Sequence, residues 1–187
     1  IYTLIDLHGA PGGQSNGWLT GGQTGSNELW TNTEYQKLTV KIWEAIAEHY
    51  NEEEAVMGYG LLNEPVPSED TLLSRGEMYD LLYDAVRAID KNHIIVIGAF
   101  YSYDDIGNPL DYNWTNVVYE THHYNDSDHS YNGQVGFANG QITYLKQYQE
   151  AYNIPLLAGE YNFFPISDAW LTFMNTLNSL NIAWTSW

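Results

Sequence analysis

Two stretches of this 187-residue chain end an apolar run on a carboxylate. Gly58-Tyr59-Gly60-Leu61-Leu62-Asn63-Glu64-Pro65 stops on an Asn–Glu pair followed by proline. Ile154-Pro155-Leu156-Leu157-Ala158-Gly159-Glu160-Tyr161-Asn162 stops on a single glutamate. Leu61 and Leu62 suit a strand buried on both faces, as in a parallel sheet covered by helices. Pro65 cannot continue a ladder and biases Glu64 towards extended backbone. Both carboxylates therefore emerge at C-terminal strand ends, where barrels of alternating strands and helices carry their chemistry. A lone Glu after a strand is most often a surface group. Asn63, Pro65 and the matching Glu160 set this pair apart, and the pattern predicts that Glu64 and Glu160 face one site.

The elements that must position them alternate. Strands are expected over 1–7, 55–62, 93–100, 117–121, 155–159 and 182–187. Helices are expected over 33–50, from Ser68 or Asp70 to Asp90, over 140–152 and over 168–180. Thr33 reads as the cap of the first helix, with Leu38, Ile42, Ala45 and Ile46 as its apolar stripe. The second helix carries Leu72, Leu73, Leu81, Leu82, Val86 and Ile89. Residues 9–33 and 125–137 read as polar loops, the first long enough to suggest a working role. Strands alternating with helices imply a parallel sheet, and with no repeat or linker this is one α/β domain of (β/α)8 type. At roughly 30 residues per strand–helix unit, Glu64 and Glu160 are about three units apart, across the mouth of an eight-stranded barrel.

Composition excludes several classes. Hydrophobic residues make up 44% and charged residues 16%, which is globular rather than disordered. Twenty-four acidic against six basic residues give a formal charge of −18, the wrong sign for nucleic acid. No apolar run approaches the ~20 residues of a membrane helix. Without cysteine there is neither a disulfide nor a thiolate metal site. The chain holds seven Trp and sixteen Tyr. Trp18, Trp30, Tyr101, Tyr103, Tyr112 and Trp114 lie in Gly/Asn/Ser/Asp-rich stretches and are read together as flat platforms lining a groove for sugar rings.

Five strand-like runs end in a polar or aromatic group: His8, Asn63-Glu64, His122 with Tyr124, Glu160 and Trp187. With Ile5-Asp6-Leu7-His8-Gly9-Ala10-Pro11-Gly12, Leu62-Asn63-Glu64-Pro65, His122-His123-Tyr124, Gly159-Glu160 and Trp184-Thr185-Ser186-Trp187, the chain resembles glycoside hydrolase family 5, the cellulase family of clan A (β/α)8 barrels. The ordered set is far more specific than the Asn-Glu-Pro motif alone. The resemblance implies that Glu64 is the acid/base on the barrel's fourth strand and Glu160 the nucleophile on its seventh. It places His8 at the end of the third strand, His122 and Tyr124 on the sixth and Trp187 on the eighth. It also implies an incomplete domain over 1–187, lacking the first two βα units and an arginine beside the nucleophile. Arg75 and Arg87, the only arginines, fall on an outer helix. A fragment of this kind is expected to be feebly active alone, and another chain would be needed to cover its open edges.

Within that resemblance the chemistry is retaining hydrolysis of a β-glucan by double displacement, endo-β-1,4-glucanase-like. The His-Gly-Ala-Pro-Gly loop resembles exo-β-1,3-glucanase relatives, and mannan or xylan stays open. Asn63 would bind the sugar 2-hydroxyl, His8 another hydroxyl, and Trp187 would floor the ring. Tyr124 would hydrogen-bond Glu160, and His122 would sit near Glu64. No cofactor is expected, and secretion is, with no leader visible. Rival readings are weaker. His8, Glu120, His122 and His123 could ligate a metal, but no His-x-His or HExxH spacing supports it. Asp126, Asp128 and Ser130 only echo a calcium loop. Gly13-Gln14-Ser15-Asn16-Gly17 matches a nucleophile elbow without its strand and helix. Sequons at Asn113 and Asn125 carry no weight without a eukaryotic secretory source. A sugar-binding barrel without catalysis is the rival of another class, and both retained glutamates argue against it.

Overall fold

The computed structural model describes residues 1–16, 27–99 and 103–187, save the Asp105 side chain. Gly17, Trp18, Phe100 and Tyr101 lie outside them. The chain forms two compact units, Ile1–Val117 and Val118–Trp187.

The first unit holds β1 (Thr3–Asp6), α1 (Thr33–Tyr50), β2 (Val56–Gly60), α2 (Arg75–Ile89) and β3 (Ile94–Ala99). β2 pairs in parallel with β1 (Asp6 beside Gly60) and with β3 (Gly60 beside Val96). α1 has the expected bounds, but its cap is Asn32, whose side chain accepts from Glu34 N at 2.9 Å. Asn32 has the extended backbone a cap requires, whereas Thr33 is already helical. The buried face is Gln36, Thr39, Trp43 and Ala47, and the expected stripe is rotated away from it, leaving Leu38 and Ala45 exposed. The indole explains the rotation: Trp43 is fully buried and donates Nε1–H to Leu61 O at 3.0 Å.

α2 begins at Arg75 rather than near Ser68 or Asp70. Ser74 and Glu77 form a reciprocal capping box, which outweighs the earlier Ser and Asp. Leu82 and Val86 of the expected stripe face the core, Leu72 and Leu81 are exposed, and Met78, Tyr79 and Tyr83 complete the buried face. Arg75 and Arg87 are buried despite lying on a helix. Arg87 donates to the carbonyls of Asp90, His93, Thr115 and Asn116, holding loop backbone at the entry of β3.

The aromatic platform reading fails where it can be checked. Trp30, Tyr103 and Trp114 are buried, and Tyr112 stacks on Trp114 at 4.4 Å. Trp30 donates to Gln14 O and Trp114 to Asp80 Oδ1. These rings fill the unit rather than floor a groove, because burying a large ring with its polar edge satisfied outweighs exposing it.

The second unit holds β4 (Val117–Tyr124, from the junction residue on), α3 (Tyr131–Tyr152), β5 (Leu156–Asn162), α4 (Ser167–Ser179) and β6 (Ala183–Trp184). β5 pairs in parallel with β4 and β6. α3 starts nine residues before the expected 140, capped by Ser130 onto Gly133 N at 3.1 Å. Part of the supposed 125–137 loop is thus helix, and its buried line runs Gln134, Ala138, Ile142, Leu145, Tyr148. Asp128 accepts from Ser130 N, so the supposed calcium loop is a helix entry. Outward from β5, Tyr161 and Phe163 meet Trp170 and Phe173 of α4 at ring distances of 5.0–5.8 Å. Among the described residues no helix is long and apolar enough to cross a membrane.

Asp90, almost fully buried, accepts from Tyr59 OH and from the N–H groups of Asn92 and His93, and pairs with the His93 ring. Burial pushes its carboxyl up, but those donors outweigh burial and hold it below the usual carboxylate range. A depressed folded value contributes stability above the unfolded value of ~3.9, lost as pH falls through the folded one. Asp90→Ala is expected to cost about 3 kcal/mol in urea unfolding at neutral pH, by orphaning buried donors, and to flatten the acid limb below about pH 4.

Candidate active site

In the first unit, the segment that carries Glu64 leaves the ladder at Gly60. Its next three carbonyls then meet donors from three different places: Leu61 O meets Trp43 Nε1 (3.0 Å), Leu62 O meets Tyr79 OH (3.2 Å), whose one proton is shared with Gly98 O (2.7 Å), and Asn63 O meets Gln14 Nε2 (2.8 Å). Leu61 N and Asn63 N donate to Val96 O and Leu7 O on the flanking strands' sides. Buried backbone must be paired, and here side chains do what a ladder no longer can.

Asn63 Nδ2 lies 3.2 Å from His8 Nε2, and His8 Nδ1 lies 3.0 Å from Asp6 Oδ2. His8 and Asn63 are thus brought together, with the buried Glu64 next in the chain at 7% exposure. Glu64 has φ +45°, not the extended backbone expected before proline. Proline disfavours only the right-handed region, and the left-handed turn escapes it as well at a cost of ~1–3 kcal/mol. Such outliers concentrate at working sites.

In the second unit, β4 and β5 run with His122 beside Glu160 and Tyr124 beside Asn162, after a register shift at Thr121/His122. That irregularity re-aims the end of β4. Tyr124 OH donates to Glu160 Oε2 at 2.9 Å. His122 Nδ1 stands 3.5 Å from the same oxygen, and its Nε2 stands 3.8 Å from Glu120 Oε1. A β-carbon at Gly159 would overlap Glu120 Oε1, so only glycine lets Glu120 lie across the strand towards His122. Thr185 ties β6 to this strand end, donating Oγ1–H to Gly159 O at 2.7 Å. Trp187 is exposed at 77% and follows β6.

His123 points to the other face of β4. It is buried, with Nε2 on Thr121 Oγ1, Nδ1 on Gln141 Oε1 and its ring edge on Phe173. It does not join Glu120 and His122, which removes one ligand from the metal reading. The elbow reading also fails: β1 ends at Asp6 and turns intervene before Gln14. Gln14 was not singled out as a working residue, and Glu120 was named only as a possible metal ligand. Gln14 leaves no sequence signal, since its need arises from carbonyls it meets only in the fold. The β-strand alternation Glu120, His122, Tyr124 would have found Glu120.

The family model described as cellulase (glycosyl hydrolase family 5) matches residues 1–187. A beta-xylosidase of Phanerodontia chrysosporium is 32% identical over 126 residues, 66% of this chain and 26% of that protein. A glucan 1,3-beta-glucosidase of Pichia angusta is 31% identical over 131 residues, 66% of this chain and 30% of that protein. The chain thus spans less than a third of these relatives. Endo-glycoceramidase II from Rhodococcus sp., in its complex with a cellobiose-like isofagomine, superposes with TM-score 0.72 at 15% identity, covering 100% of this chain and 56% of that one. The cellulose synthase subunit Z of Clostridioides difficile gives TM-score 0.70 at 18% identity, covering 87% and 63%. These likenesses show the fold, an incomplete (β/α)8 barrel.

Burial pulls the His123 ring down to about 4. The unfolded ring takes its proton near ~6.5, so the neutral ring's contribution is complete above that value and lost as pH falls towards about 4. Stability should drop across this window by on the order of 3 kcal/mol. His123→Gln should flatten the slope of unfolding free energy between pH 6.5 and 4.

Proposed function

Because the chain belongs to the cellulase family, glycoside hydrolase family 5, we propose that it supplies both carboxylates of a retaining β-glucan hydrolase, Glu160 as nucleophile and Glu64 as acid/base. The observation that carries the reading is Tyr124 OH on Glu160 Oε2 at 2.9 Å, at the C-terminal end of a parallel strand. One oxygen is held by the phenol, which sets the carboxylate's orientation for attack by the other. Glu64 follows Asn63 in the segment that continues β2 beyond Gly60, on the C-terminal side of its own strand.

In the first step Glu160 attacks the anomeric carbon while Glu64 gives its proton to the departing oxygen. A glycosyl ester on Glu160 results. In the second step Glu64, now a carboxylate, takes a proton from water, and that water attacks the anomeric carbon and frees Glu160. Double displacement requires the two carboxyl groups about 5–5.5 Å apart. Asn63 binds the sugar 2-hydroxyl, His8, held between Asp6 and Asn63, binds a second hydroxyl, His122 orders the polar network at Glu160, and Trp187 supplies the floor under the ring. No cofactor enters these steps.

For the substrate, both glucan and xylose-containing glycosides fit the relatives' names. Glucan 1,3-beta-glucosidases recur among them, which favours exo attack on β-1,3-linkages over endo attack on β-1,4-linked cellulose. An extracellular polymer implies a secreted protein.

In the full-length protein, Glu160→Ala is expected to reduce hydrolysis of laminarin oligosaccharides to background with the fold intact by circular dichroism. Retained turnover would reject Glu160 as nucleophile. Glu64→Ala should lower kcat/KM on the same oligosaccharides by about 10²–10⁴-fold, the usual worth of a general acid. It should leave kcat/KM on a dinitrophenyl glucoside nearly unchanged, because that leaving group needs no proton. Equal losses on both substrates would reject the acid/base role.

A further inference from the structure

We propose that Gln14 is a positioning residue for the acid/base carboxylate, holding Glu64 in its left-handed backbone conformation; this rests on the role given to Glu64 above. Gln14 is fully buried in a glycine-rich loop. Its amide is completely used. Nε2 donates to His8 O (3.0 Å) and to Asn63 O (2.8 Å), and Oε1 accepts from Ala10 N (2.9 Å). Its main-chain carbonyl accepts from Val66 N (2.9 Å) and from Trp30 Nε1 (2.9 Å).

The two bonds to the Glu64 segment fall on either side of Glu64. The Gln14 side chain grips the carbonyl immediately before it, and the Gln14 main chain grips the first N–H after Pro65. Pro65 itself has no N–H to offer. Between these two grips sits the φ of +45°. Left-handed backbone at a residue other than glycine costs ~1–3 kcal/mol and persists only where surrounding bonds over-determine it. Val66 O is held as well, by Asn27 Nδ2 at 3.0 Å. The same Nε2 also donates to the His8 carbonyl, which ties the loop after β1 to the acid/base segment.

A general acid must meet the leaving oxygen within hydrogen-bond reach, and a displacement of about 1 Å can cost 10²-fold. Gln14 therefore governs proton delivery without touching substrate. Simple packing is the rival role for a buried amide, and it makes a different forecast: loss of stability, with all substrates affected alike.

The test is Gln14→Met in the full-length protein, which keeps volume and removes both donors and the acceptor. The account expects kcat/KM on laminarin oligosaccharides to fall about 10–100-fold while kcat/KM on dinitrophenyl glucoside stays within about threefold. Equal falls on both substrates overturn the proposal and leave the glycosidase reading standing. Wild-type protein that cleaves neither substrate overturns both. If Gln14→Met does not fold, Gln14→Glu carries the same comparison, since it keeps an acceptor for Ala10 N and loses the donors. If neither folds, Gln14 is a folding residue and the proposal is overturned.

Discussion

Three consecutive carbonyls, Leu61, Leu62 and Asn63, lie beyond the last ladder position of β2 and must still be paired. Everything at this end of the first unit depends on that constraint. The donors come from α1, from α2 and from the loop after β1, as Trp43, Tyr79 and Gln14. Each donor is fully buried, so each also anchors its own element in the core. Removing hydrogen bonds of this kind exposes buried carbonyls at about 1–3 kcal/mol each, which is why the segment has a single conformation to offer. A strained Glu64 is the product of that over-determination rather than a local accident.

The second unit solves a related problem at the end of β4 and β5. There the backbone stays in the ladder through Tyr124 and Asn162, and the polar side chains are ordered by register instead. His122 beside Glu160, Tyr124 on its carboxylate and Glu120 lying over Gly159 make one polar layer. The opposite face of the same strands is aromatic, with Tyr161, Phe163 and Phe173 in contact and His123 kept neutral among them. One strand thus carries site chemistry on one side and core on the other, as its period of two requires.

The alternation of strands and helices was readable because apolar runs and helical spacing are local properties. α1 was placed to the residue, and the motif residues all lie at or just after strand ends. Errors arose where a tertiary demand overrode local preference. Gly133, Gly136 and Asn139 are poor helix formers, yet they lie in α3 because Ser130 caps it and Ala138 and Ile142 need burial. Loop aromatics such as Trp30 and Trp114 looked available to a ligand, but each ring is buried and its indole N–H has an acceptor within the unit. The left-handed turn at Glu64 was hidden behind Pro65, whose rule is only a prohibition of one region. Gln14 was invisible because its partners are main-chain atoms, which carry no sequence.

The function proposed for this family member is one covalent chemistry, in which a sugar is transferred to a carboxylate and then to water. The most direct measurement is to trap that sugar. A 2-deoxy-2-fluoro-glucosyl donor with a dinitrophenolate leaving group forms the ester rapidly and loses it slowly. Mass spectrometry of peptides from the full-length protein should then find one fluoroglucosyl group on the peptide containing Glu160, with fragment ions placing it on that side chain. A label on a different residue, or turnover of natural substrate that releases product of inverted anomeric configuration with no label at all, would contradict the account.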